Sequence, residues 1–363
     1  MTTKRKKSAS SRLEVQFEIL RTLLAIAISI AIVAVIVAFV SDQPMVAIKQ
    51  LLIGPLSSKK RFSNVLELMI PLSFTGLAIT IVFKTKRYNL AAESAFFIGS
   101  MVALLIGLYS PLPRIMTIVL AVLGGFIVGG FIGWIPAITN QKLGSSELVI
   151  SLMLNYVVSF FVNYIFKYKV RDPRKASMQS IPLDRSLRLT NLVSGTRLHT
   201  GLIIMIVLVF LTWFVMYRTK WGYALRATGS NENFAHYSGI NVALVIILAQ
   251  VIGTGIAGLG GAVEMLGMHS TFKWTSSPGY GFDGVIMSTL ARGNPALVPF
   301  AALFLAYVRV GADVLNRTTS LPSEIVAIIQ ATIILLVAAQ AFLSKTKHKV
   351  LVKQMQEIEG SEA

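Results

Sequence analysis

Glu147, Ser151, Asn155, Ser159 and Asn163 recur at every fourth position through an otherwise apolar stretch. Steps of four residues drift by about 40° on a helix, so these groups wind slowly around one side of it. Polar groups facing lipid are costly, so that side should meet protein or water. Two readings fit: hydrogen-bonding glue between helices, or the lining of a path, with Asn155 nearest mid-membrane. Two further acids border apolar runs. Glu93 opens one and, like Glu147, is favoured there by the partial positive charge of a helix start. Glu264 stands near the far end of another run without that support, which makes it a functional candidate. The stretch Pro278-Gly279-Tyr280-Gly281-Phe282-Asp283-Gly284 breaks helical patterning at a membrane boundary. Tyr280 and Phe282 either stack on a flat ligand or form an interfacial aromatic belt over a tight turn.

Much chemistry is excluded. The chain has no cysteine, so disulfides, zinc–thiolate sites and a cysteine nucleophile are ruled out. His199, His236, His269 and His348 show no metal-ligand spacing, and neither H-E-x-x-H nor a phosphate loop occurs. No catalytic residue, metal or cofactor is expected in this chain.

The elements that position these residues are membrane spans. Of 363 residues, 54% are hydrophobic and 14% charged, with a mean hydropathy of +0.69; a soluble domain carries roughly 25% charged residues. Lys and Arg number 34 against 16 Asp and Glu, a net charge of +18. Many flank apolar runs, as in Lys4-Arg5-Lys6-Lys7 and Lys345, Lys347 and Lys349. The implied partner is membrane lipid rather than nucleic acid. A crossing helix needs about 20 apolar residues. That criterion places spans near 20–40, 65–83, 93–110, 115–136, 147–166, 200–217, 242–266, 296–312 and 323–343. A shorter stretch, 282–291, either crosses obliquely, for ten spans, or re-enters, for nine.

The expected fold is therefore an all-α polytopic integral membrane protein of the cell membrane, with about ten helices and cytoplasmic termini. Residues 1–19 form a basic tail, 20–343 the transmembrane domain and 344–363 a second tail. Ten spans place both tails, the Lys84/Lys86/Arg87 turn and the Arg218–Arg226 segment on the cytoplasmic side. The loop 167–199 opposes that rule. It is basic yet falls outside, and is expected to be a small external structure.

Two glycine sets stand out. Gly125, Gly129 and Gly133, with Gly124 and Gly130, form a ridge for close helix packing. Gly253, Gly255, Gly258, Gly260, Gly261 and Gly267 either pack closely or let a helix bend. In the cytoplasmic loop 218–241, Ser230 is suited to cap a short helix that ends at Gly239. That helix would carry Asn231, Glu232, Asn233, Phe234, Ala235, His236, Tyr237 and Ser238. Phe234 and Tyr237, three apart, share a face and can anchor a partner, or the segment is a surface hairpin packed on its own protein.

Four stretches resemble the permease subunits of ATP-binding-cassette (ABC) importers for simple sugars, nucleosides and branched-chain amino acids, most closely the nucleoside type paired with basic membrane lipoproteins. Gly144 to Tyr156 is similar to the family's G-x-x-E-V-I-x-T-x-M-x-N-Y. Gly222 to Val242 looks like its coupling loop. Ala257 to Glu264 matches A-G-L-x-G-A-x-E, and Gly279 to Gly284 matches G-Y-G-F-x-G. The family's F-N-I-G-x-E-G-Q is altered here to Tyr88–Ala95, keeping Asn89 and Glu93. The resemblance implies a second homologous permease subunit, cytoplasmic ATPase subunits that bind the ATP, and an extracellular substrate-binding lipoprotein. It implies coupling through Ser230–Gly239 and a path for a small polar solute, a nucleoside first and a sugar as alternative. Asn89, Glu93, Ser151, Asn155, Ser159, Glu264, Tyr280, Phe282 and Asp283 are the path candidates. A self-sufficient secondary transporter or channel is the competing class, and mid-span acids for ion coupling are scarce.

Overall fold

The computed structural model describes residues 43–319 and 324–335, with positions 31 and 35. Among these residues, seven helices are long and apolar enough to cross a membrane. Apart from positions 31 and 35, the expected span 20–40 lies outside the described residues, as do position 323 and residues 336–343 of the last span. The helices are α1 (Pro44–Ile53), α2 (Lys59–Lys84), α3 (Ala92–Tyr109), α4 (Arg114–Leu143), α5 (Glu147–Ile165), α6 (Gly201–Arg218), α7 (Lys220–Ser230), α8 (Glu232–Tyr237), α9 (Val242–Gly267), α10 (Tyr280–Leu290) and α11 (Val298–Thr318). Glu324–Leu335 is a shorter apolar helix.

The chain divides into two units. One comprises residues 1–61 and 307–363, the other 62–306. In the first, the Leu51 carbonyl approaches Gly311 so closely that a methyl there would lie 2.5 Å from it. The Tyr307 hydroxyl donates to the Leu52 carbonyl.

In the second unit α9 is the central pillar, packed along α3 and α4. Its glycines explain why. A methyl on Gly129 would meet Gly258 Cα at 2.9 Å, and one on Gly125 would meet the Gly258 carbonyl at 2.7 Å. Small residues let backbones touch where lipid supplies no hydrophobic drive between helices. The second glycine set works the same way, with Gly253 against the Ala78 carbonyl and Gly260 against Phe74.

The basic loop 167–199 is a folded structure. It contains a 3-10 turn at Arg185–Leu187 and isolated bridges pairing Arg171 with Ser180 and Asn191 with His199. It is stitched to the last turn of α9 and to the chain that follows. The Ser180 amide donates to the Phe272 carbonyl at 3.0 Å, Leu183 to Ser270 at 2.8 Å and Leu189 to Leu266 at 3.0 Å. Phe272 then wedges between Phe97 and Phe166, with ring centroids 5.7 and 5.1 Å away.

Candidate functional site

The polar residues of α3, α5, α9 and α10 meet where α3 begins. Asn89 Nδ2 donates to Gln250 Oε1 at 2.6 Å. Gln250 is fully buried, eight residues past the start of α9. At 1.5 Å per residue that is about 12 Å along the helix. The segment 88–91 therefore dips into the bundle, and α3 starts at depth. Non-helical backbone at that depth must be satisfied by protein, and the α5 ladder does this. The Leu90 amide donates to Ser151 Oγ at 3.0 Å and its carbonyl accepts from Asn155 Nδ2 at 3.2 Å. Asn155 Oδ1 accepts from the Ser94 amide at 3.2 Å. A carboxamide suits this place because it both donates and accepts.

Glu93 has a different partner from the one expected of a helix-opening acid. Its oxygens accept from the amides of Gly279, at 2.7 Å, and Gly281, at 2.6 Å. It thus neutralises the start of α10 as well as lying in the first turn of α3. These are charge-assisted bonds, the stronger class, and Glu93 is 1% exposed. Gly279 caps α10 with φ +85°, the left-handed region that glycine tolerates without strain. A side chain on Gly281 would collide with the Glu93 backbone. Tyr280 lies edge-on to Phe96 at 5.2 Å. Asp283 is buried in the first turn of α10, and Phe282 is exposed.

From this junction α10 runs back toward the end of α2. There Lys84 Nζ donates to the Gly293 carbonyl at 3.1 Å. The stretch 282–291 is thus a half-length helix, and its approach from α9 is non-helical.

Of the sequence candidates, Asn89, Glu93, Ser151, Asn155, Tyr280 and Asp283 gather around this junction. Ser159 is half-buried further along α5. Glu264 lies at the far end of α9, 1% exposed, with Oε1 3.7 Å from His269 Nε2. Beside them is His199, fully buried, whose Nδ1 accepts from the Gly201 amide at 3.1 Å. Burial pushes its imidazole below the ordinary 6.5, the carboxylate of Glu264 opposes that shift, and His269 adds to it. Sequence reasoning missed Gln250. Its signal was visible: it is the one carboxamide in a 26-residue apolar helix.

At the end of the bundle where α2 stops, α7 and α8 form an outlying pair. Asn231, not Ser230, caps α8, accepting from the Phe234 amide at 3.0 Å. The reason is that Ser230 is still the last residue of α7. Gly239 follows with φ +81°. Arg87 Nη2 meets Glu232 Oε1 at 2.6 Å and Lys86 Nζ donates to the Ser230 carbonyl at 3.2 Å. Gly229 rests against the Lys84 backbone, and Ala235 is buried. Phe234 and Tyr237 are 59% and 89% exposed.

Apolar helices long enough to span a membrane, around a buried polar junction and with two exposed aromatics at one end, fit a multi-pass membrane protein. The chain belongs to the family of branched-chain amino acid transport system permease components, whose profile matches residues 61–338. It is 28% identical to the nucleoside ABC transporter permease protein NupB of Lactococcus lactis subsp. cremoris, over 95% of this chain and 96% of that one. It is 30% identical to the guanosine ABC transporter permease protein NupP of Bacillus subtilis, over 74% and 78% of the two chains. It is also 26% identical to the glucose ABC transporter permease protein TsgB13 of Haloferax volcanii, over 89% and 87%. The chain is a membrane permease subunit of an ABC importer and a multi-pass protein of the plasma membrane.

Proposed function

We propose that this permease carries a nucleoside, on a path lined from the junction between the start of α3, α5, α9 and α10. The observation that carries the reading is the near full-length similarity to a nucleoside permease. The junction offers amides, hydroxyls and aromatic rings, the groups that hold a neutral polar solute with a flat base. The glucose permease among the relatives favours a sugar as second reading.

Ten spans with both tails cytoplasmic fit best. Lys84 and Gly293 share one end of the bundle, so the chain between α9 and α11 makes a net crossing. On that topology α8 faces the cytoplasm and the loop 167–199 faces outside. ATP binds on separate cytoplasmic ATPase subunits, and a second homologous permease subunit completes the path. A substrate-binding lipoprotein delivers the solute from outside, and this chain holds no cofactor.

The segment 230–239 is the handle for the ATPase. A six-residue helix is not stable alone in water, and two exposed aromatics of the hot-spot kind lie on it. In the assembled transporter, Phe234→Asp should reduce guanosine uptake at least tenfold while membrane insertion and thermal unfolding stay unchanged. Normal uptake by that variant rejects the coupling role. Guanosine uptake resisted by excess glucose, and competed by other nucleosides, supports the nucleoside reading. The reverse pattern supports the sugar.

A further inference from the structure

A concave feature of the 62–306 unit lies at the opposite end from α8. It is a cavity of about 570 Å³ between the start of α4, the loop 167–199 and the chain after α9. Arg114, Arg185, Arg188, Arg197 and Lys273 line it, and no acid does. None of the five makes an ion pair among the described residues. Arg114 Nη2 instead donates to the Arg188 carbonyl at 3.4 Å, drawing two guanidinium groups into one neighbourhood. Arg188 Nε is buried with no hydrogen-bond partner, and so is the hydroxyl of Thr271, a lining residue 8% exposed. Buried Glu67 of α2 faces Arg197 electrostatically, and buried Glu264 of α9 lies 3.7 Å from His269, but neither acid lines the cavity.

Five cations gathered with no acid in the same lining repel one another, and buried donors left unmade cost free energy. One kind of guest removes both penalties: an anion with several acceptor oxygens. Guanidinium forks match phosphate bidentately, and the volume suits a small phosphate ester better than a single halide. We propose that this cavity is a binding site for a phosphate group. Arg114 opens a spanning helix, so the cavity sits at the membrane surface. Both a phospholipid headgroup and a free phosphorylated solute can reach it. The site is separate from the α3–α10 junction and does not depend on what the permease carries.

The test uses the purified full chain in nanodiscs. One arm titrates inorganic pyrophosphate into phosphatidylcholine discs. The other measures retention of phosphatidylglycerol from mixed discs by native mass spectrometry. Binding in the first arm identifies a free phosphate source, and in the second a lipid source. In either, Arg185→Gln with Arg188→Gln should weaken binding about tenfold or more. The pair Arg171→Gln with Arg174→Gln, in the same loop but outside the cavity, should change it less than twofold. Arg185→Lys with Arg188→Lys keeps the charge but loses the bidentate fork; it should weaken binding less than the glutamine pair does, and covers the case in which that pair misfolds. Binding in neither arm overturns the proposal. So does equal weakening by the two glutamine pairs, which would mean diffuse surface charge.

Discussion

The segment 230–239 and the Glu93 junction each turn on one acid, and they treat it in opposite ways. Glu232 is exposed and pairs with a partly exposed Arg87 at 2.6 Å. Glu93 is buried and grips two backbone amides of another element. A surface pair is screened by water and costs side-chain entropy to hold. A buried carboxylate on two amides has no water to fall back on, so its loss strands both amides at once. The outlying helix is therefore free to take its order from a partner, and the junction is fixed by the chain itself. The proposed coupling role fits this contrast: an exposed segment can dock a partner while the junction holds the core together.

Breaking the junction should have the largest effect on stability. Glu93→Ala leaves the amides of Gly279 and Gly281 unpaired and should cost about 2–4 kcal/mol, read from thermal unfolding of the purified chain. Glu93→Gln, which keeps one acceptor oxygen, should fall between. An unchanged midpoint in both would mean that α10 is held without Glu93.

A smaller effect should come from His199, at the far end of α9. Its imidazole is held below 6.5 chiefly by burial. Above 6.5 it is neutral in both folded and unfolded chains and contributes no pH dependence. As pH falls through 6.5 the unfolded chain takes up the proton first, so stability should decline on the acid side. Glu264 and His269 face the same group and temper the slope in opposite senses. His199→Gln should flatten the decline between pH 7 and 5; an identical slope would assign it to other groups.

Arg87→Ala should have the smallest effect, under about 1 kcal/mol, because it removes only a screened surface pair. A larger loss would show that α8 is fixed by that ion pair, and would erase the contrast with Glu93.

Helix positions were largely legible in the sequence. The expected 242–266 is Val242–Gly267, 93–110 is Ala92–Tyr109 and 147–166 is Glu147–Ile165. Hydropathy reads these directly, because a lipid-facing helix has no other way to bury its backbone. Depth was not legible. Nothing local to Asn89 says that it meets a residue 161 positions away, so Glu93 read as an ordinary helix-start acid. The α5 ladder is legible, but its partners are backbone groups of a dipping segment, which no periodicity reveals. The cap of α8 shifted by one residue because α7 runs through Ser230.

On the proposed function, the permease is driven from outside its own chain. The most direct measurement reconstitutes this chain in liposomes, alone and with its partner permease, ATPase subunits and binding lipoprotein, and follows guanosine uptake. The expected result is uptake only in the complete assembly and only with ATP. Gradient-driven uptake by this chain alone, without nucleotide, would contradict it.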